Sequence, residues 1–215
     1  MTPRHLPRAG LALLAAAVMG CATGPGSEQM DQDFQAMMKA SFRSEGIATV
    51  DRIEQDADQA ACSASRQATA SETQRIEAEA RATIHPPSDG KYLGDWREGE
   101  KLAQNGRGMT WTDKSAAPAA NGGNCYNCHQ ITKAEISYGT IGPSLYHYGK
   151  NRGVTDTASP TAKPIVEYTW TKLWNAKAYN ACSGMPRFGH GGLLDEKQLK
   201  DLMALILDPR SPVNQ

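Results

Sequence analysis

The chain is 215 residues long, 40% hydrophobic and 21% charged, the size of one domain with an extension rather than of several domains. Its 23 Lys and Arg are balanced by 23 Asp and Glu, and no block of like charge disturbs the balance, so a basic nucleic-acid-binding surface is excluded. No run of about 18 apolar residues occurs that would span a bilayer. The even total conceals an asymmetry. Residues 22–90 carry 12 acidic and 6 basic side chains, whereas residues 91–215 carry 11 acidic and 15 basic. Segments of opposite sign dock on each other, meet different partners, or are simply solvated.

Residues 1–20 read as an export signal, with Arg4 and Arg8 ahead of the short apolar stretch 11–19. Val18-Met19-Gly20-Cys21 resembles a bacterial lipobox, in which Cys21 would become the lipidated first residue and a lipid anchor. Cleavage near Ala22, discarding Cys21, is the alternative. By either route the mature chain is expected in the periplasm, where disulfides form.

Residues 21–90 form an acidic, Ala-rich helical extension. Ile47, Val50, Ile53, Ala57, Ala60, Ala61, Ala64, Ala68, Ile76, Ala80 and Ile84 recur at spacings that predict one long helix over residues 47–84, stopped by Pro86-Pro87. Gly46 separates it from a shorter helix with Phe34, Met37, Met38 and Phe42 on one side. A stripe of Ala offers little apolar area per turn, so this segment reads as a spacer or a docking face. Cys62 is its one residue with distinctive chemistry.

Residues 91–215 carry three further amphipathic segments. Residues 95–105 place Trp96 and Leu102 inward, and residues 167–178 offer Trp170, Leu173 and Trp174. Residues 195–207 begin with Asp195 and Gln198 in capping-box spacing and carry Leu199, Leu202, Met203, Leu205 and Ile206 on one face. No alternating strand appears, so the expected fold class is all-α.

The sharp motif is Cys125-Tyr126-Asn127-Cys128-His129. CxxCH is the attachment pattern of covalent haem: two thiols one turn apart add across two vinyl groups, and the adjacent His becomes an axial iron ligand. One such motif implies one haem c. A structural zinc site would need a second Cys or His pair at ligand spacing, and a thioredoxin-like CxxC would need a βαβ context. Neither is present. The candidates for a sixth iron ligand are Met109, Met185, Met203, His147 and His190. Met203 falls on a buried helical stripe, Met109 lies in a Gly-rich stretch before the motif, and His147 and His190 read as surface residues. Met185 sits in Cys182-Ser183-Gly184-Met185-Pro186-Arg187-Phe188-Gly189, a loop constrained by Gly and Pro that suits the presentation of one sulfur.

CxxCH, Gly142-Pro143-Ser144-Leu145, a Met loop and a final helix together resemble a class I cytochrome c domain. That resemblance implies that Pro143 offers its carbonyl to His129. More narrowly, Ile141-Gly142-Pro143-Ser144-Leu145-Tyr146, Asn175-Ala176-Lys177-Ala178-Tyr179-Asn180 and Met185-Pro186-Arg187-Phe188-Gly189 resemble the SoxX family of sulfur-oxidation cytochromes, over about residues 91–215. It implies that Cys125 and Cys128 hold the haem and that His129 and Met185 ligate iron. The implied partners are a SoxA-like cytochrome, a SoxYZ-like sulfur carrier and a soluble cytochrome acceptor. The implied reaction couples thiosulfate oxidatively to a carrier cysteine, an L-cysteine S-thiosulfotransferase activity in which this chain moves electrons and is not itself catalytic. A free periplasmic electron carrier serving another oxidoreductase is the alternative. An open-site haem enzyme or gas sensor is a third, and requires that Met185 not bind.

Of the five cysteines, two belong to CxxCH, and Cys21 leaves the count whether lipidated or removed. Cys62 and Cys182 remain. They pair with each other, stay free, or bridge to another chain, and sequence does not fix which.

Overall fold

The computed structural model describes residues 26–215; the export signal and Cys21 lie outside the described residues. The chain divides into two units between Arg43 and Ser44. In the first, helix α1 (Ser27–Ser41) buries no side chain. Its apolar residues Met30, Phe34 and Met37 are exposed.

The second unit, 44–215, contains both the remainder of the extension and the CxxCH segment. The extension is helical but is not one long helix. A 3-10 turn (Val50–Ile53) is followed by α2 (Ala57–Ser63) and α3 (Ala70–Ala82). Two capping boxes make the breaks. The Asp56 carboxylate accepts from the Gln59 amide at 2.7 Å while the Gln59 side chain accepts from the Asp56 amide at 2.9 Å. Thr69 and Glu72 repeat the arrangement at the start of α3. Each box satisfies orphan donors of a new helix, and Ser63 and Ser65 between them favour turn backbone, so capping outweighs a continuous Ala stripe.

The remaining helices are α4 (Trp96–Gln104), α5 (Lys163–Trp174) and α6 (Glu196–Leu207), and among the described residues there is no strand. The fold class is all-α, as expected. Helix α5 starts earlier than the 167–178 read from sequence, with Pro164 in its first turn, and Asn175 in extended backbone separates it from a 3-10 turn, Ala176–Ala178. The Asn175 side chain accepts from the Lys177 amide and so restarts the chain as a new turn.

Helices α4 and α6 cross closely because Gly99 carries no side chain. A Cβ there would lie 2.1 Å from the Asp201 carbonyl oxygen. The buried Asp201 carboxylate accepts from the Asp95 amide at 2.8 Å and from Lys197 Nζ at 2.7 Å, pinning the start of α4 to the middle of α6. Helix α6 shows more burial than the single face its sequence displays, since Asp201, Ala204 and Leu207 are buried as well. The C-terminal segment folds back on it. Ser211 Oγ donates to the Leu205 carbonyl, and Asn214 Nδ2 donates to the Ile206 and Asp208 carbonyls, supplying partners for the last-turn acceptors. Trp170, Leu199, Leu202, Met203, Leu205 and Leu207 form the centre of the core, each large apolar side chain worth about 1.5–3 kcal/mol of burial.

Two ion pairs link the acidic extension to the later, basic segment: Asp56 with Arg187 and Asp89 with Lys200. The Lys200 ammonium holds the Asp89 carboxyl below its ordinary value, hydrogen bonds from Ser88 do the same for Glu196, and the Arg210 guanidinium for Asp208. A carboxyl lowered in the fold binds fewer protons than in the unfolded chain. Its contribution is present above the ordinary carboxylate range and is lost as pH falls through the folded value. Thermal midpoints followed by helical circular dichroism are therefore expected to be flat above about pH 5 and to drop below about pH 4. A midpoint that rises on acidification contradicts this.

Candidate functional site

Cys125, Tyr126 and Asn127 form a 3-10 turn entered through Asn124 in left-handed backbone, φ 49°. Gly123 N–H donates to the Leu102 carbonyl and Asn124 N–H to the Asn105 carbonyl, so the end of α4 fixes the turn. His129 N–H donates back to the Cys125 carbonyl at 2.9 Å, closing one helical turn and placing the two thiols on one side. Both thiols are free and half-buried. Burial, with Cys128 adjacent, pushes the Cys125 thiol up to about 12. Such a thiol stays neutral at physiological pH, which is the opposite of the lowered value of a catalytic dithiol. Among the described residues no group of three His, Cys, Asp or Glu side chains gathers that could hold a metal ion.

A second segment lies against this turn. Gly139 N–H donates to the Tyr126 carbonyl, Gly142 N–H to that of Cys128, and Leu145 N–H to that of Gln130. These bonds carry the Pro143 carbonyl to His129 Nδ1, 2.7 Å away. A carbonyl only accepts, so Nδ1 bears a proton and Nε2 is left as the ring nitrogen that could ligate an iron. Gly142 makes the approach possible: a Cβ would sit 2.1 Å from His129 Cε1.

Met185 is half-buried and packs against the apolar cluster that also receives Cys125, Leu145 and Trp174. Its loop is framed by buried Ala181 and Phe188 and by Gly189, where a Cβ would lie 2.6 Å from the Trp174 indole. The other candidates are placed elsewhere. Met203 is fully buried in α6. Met109 sits at φ 65° with its carbonyl accepting from Arg52. His147 stacks on Tyr146 and bonds the carbonyl of Gln215, and His190 is exposed.

Two buried donors near this loop lack acceptors: Trp174 Nε1 and Lys177 Nζ. Lys177 is only 5% exposed. An indole N–H and a Lys amine buried without hydrogen-bond partners both call for an acceptor, and carboxylates such as haem propionates have that chemistry. The residues present thus fit a haem, which Cys125 and Cys128 could attach and to which His129 and Met185 could serve as axial donors.

Residues 115–208 match the family model "Cytochrome c". This all-helical segment has a class I cytochrome c-like fold. A 141-residue stretch is 37% identical to an uncharacterized lipoprotein of Aquifex aeolicus (strain VF5), covering 64% of this chain and 61% of that protein. The aligned part of the chain therefore spans about three fifths of that relative. The cytochrome c domain stops short of residues 44–85, which nonetheless pack beside it in the same unit. No helix among the described residues is long and apolar enough to cross a membrane.

Sequence reasoning did not find Gly142, Lys177 or the orphaned Trp174 nitrogen. For Gly142 a signal existed, since a Gly before the carbonyl-donating Pro is where a side chain would strike the ring. Lys177 had none, because a Lys in a polar stretch reads as solvated.

Proposed function

We propose that this chain is a monohaem, exported electron-transfer cytochrome, and more narrowly the electron-receiving subunit of a SoxAX-like complex. The observation that carries the electron-transfer reading is the His129 ring held by Pro143, with Nε2 free, while Met185 packs on the apolar cluster that receives Cys125. When bound between a His nitrogen and a Met sulfur, haem iron offers a one-electron couple without a vacant position for substrate. The chain's own residues would orient the two donors, His129 through the Pro143 carbonyl and Met185 through its packing on the apolar cluster.

The sulfur-oxidation role rests on the likeness of residues 141–146, 175–180 and 185–189 to SoxX sequences. In it a SoxA-like cytochrome carries the sulfur chemistry, a SoxYZ-like carrier supplies the cysteine, and a soluble cytochrome takes the electrons. Cys21 would anchor the mature chain in the membrane by lipid, a reading supported by the lipoprotein relative. The free-carrier alternative uses the same site and differs only in lacking a stable partner.

Purified haem-loaded chain is expected to exchange electrons with a soluble cytochrome and to leave thiosulfate untouched. Turnover is expected only when a second, SoxA-like cytochrome and the carrier are added, with the two cytochromes co-purifying. Thiosulfate consumption by this chain alone contradicts the subunit reading; failure to co-purify with any second cytochrome favours the free carrier.

A further inference from the structure

Helix α2 holds the Met185 loop from both sides. Cys62, in its last turn, is joined to Cys182 by a disulfide that spans 120 residues of sequence. Asp56, its N-cap, pairs with Arg187 Nη2 at 2.8 Å. Met185 lies three residues after Cys182 and two before Arg187. The two anchors are six residues apart on one helix, about 9 Å at the helical rise, whereas five loop residues could extend to about 17 Å. The loop is therefore gathered between the ends of a short rigid rod.

The upstream side of the loop is held by the same part of the chain. Arg81 Nη1 donates to the Ala178 carbonyl at 2.5 Å and Asn175 Nδ2 to Thr83 Oγ1 at 3.2 Å. Trp170 Nε1 donates to the His85 carbonyl at 2.8 Å. Ile76 and Ala80 of α3 are buried, and α3 packs against the Ala176–Ala178 turn. None of these contacts belongs to the segment 115–208 alone.

We propose that residues 54–85 are a strap that positions the Met185 sulfur, with Cys62 and Asp56 as its positioning residues. This rests on Met185 being the sixth ligand. A loop free at its outer edge would trade the sulfur against water or an added ligand by small backbone excursions. Tying its ends removes those excursions and so favours the ligated state entropically. The exposed ion pair contributes less than the disulfide, because solvent screens it.

The test uses full-length haem-loaded protein. A dithiol delivers two electrons and two protons to the Cys62–Cys182 bond, giving two thiols and the oxidised cyclic disulfide; the thiols are alkylated and the iron is reoxidised. Binding of imidazole to the ferric protein and the sulfur-to-iron charge-transfer band are then compared with those of the untreated protein. Expected is a gain in apparent imidazole affinity of about tenfold after reduction, of similar size in Cys62→Ser/Cys182→Ser, and smaller in Asp56→Asn. Unchanged imidazole affinity and band in both the reduced and the double-variant protein overturn the strap, even if thermal stability falls. Should the double variant fail to load haem, the chemically reduced protein alone decides. Met185→Ala is run alongside: a persisting band there overturns the ligand assignment itself, whereas its loss together with unchanged imidazole binding on reduction overturns only the strap.

Discussion

Met185→Ala is expected to abolish the sulfur-to-iron charge-transfer band of the oxidised protein and to lower its reduction potential. The drop should be on the order of 100 mV, a fraction of the roughly 0.8 V over which axial ligation moves haem potentials. A thioether is a neutral, soft donor that favours the ferrous state. Water or hydroxide in its place favours the ferric state. The alternatives are structurally encumbered: Met203 has no exposed surface and fills the core of α6, and Met109 is held by a main-chain bond from Arg52. Redox titration together with the ferric spectrum checks the prediction. A retained band shows that another Met binds the iron and that the loop 182–189 does not present the ligand.

Gly142→Ala is expected to move the potential the other way. The new Cβ would lie 2.1 Å from His129 Cε1 and 2.5 Å from Nδ1, closer than any carbon contact in a folded protein. Either the imidazole turns or segment 139–145 retreats, and both break the 2.7 Å bond to the Pro143 carbonyl. Overpacking of this kind costs about 1–3 kcal/mol, so the thermal midpoint should fall by several degrees, on the order of 2–12 °C. Without its Nδ1 hydrogen bond the ring is a weaker donor to iron, which raises the potential. Pro143→Ala is the informative control. The contact uses a main-chain carbonyl that any residue possesses, so this variant should leave the potential nearly unchanged. A Gly142→Ala protein with wild-type potential and melting behaviour would show that the His129–Pro143 contact does not govern the proximal ligand.

The variants differ in how far the sequence points to them. Met185 stands out in the linear chain, as one Met in a Gly- and Pro-bearing loop after a thiol. Gly142 does not, because what it avoids is a ring 13 residues earlier in the chain. The same contrast runs through the extension. Its Ala periodicity predicted one helix, whereas the structure breaks it at the Asp56–Gln59 and Thr69–Glu72 capping boxes. Capping won, since each box satisfies donors that Ala burial does not. The cysteine count left Cys62 and Cys182 over without joining them, because connectivity depends on which chain segments pack together.

What the sequence determined by itself was local. The CxxCH spacing implies covalent haem because both thiols and the adjacent His129 fall within one turn. The apolar periodicity made the chain all-α, and the Asp195–Gln198 box set the start of the last helix. The tertiary structure decided everything that needs distant residues to meet. It brought the Pro143 carbonyl to His129, crossed α4 over α6 at Gly99, and buried Lys177 without an acceptor. It also laid α2 across the Met185 loop with a bond at each end. Periodicity and spacing are encoded within a few residues of chain, where backbone geometry alone converts them into structure. Contacts across about a hundred residues depend on how whole helices pack, and packing is a property of the assembled core.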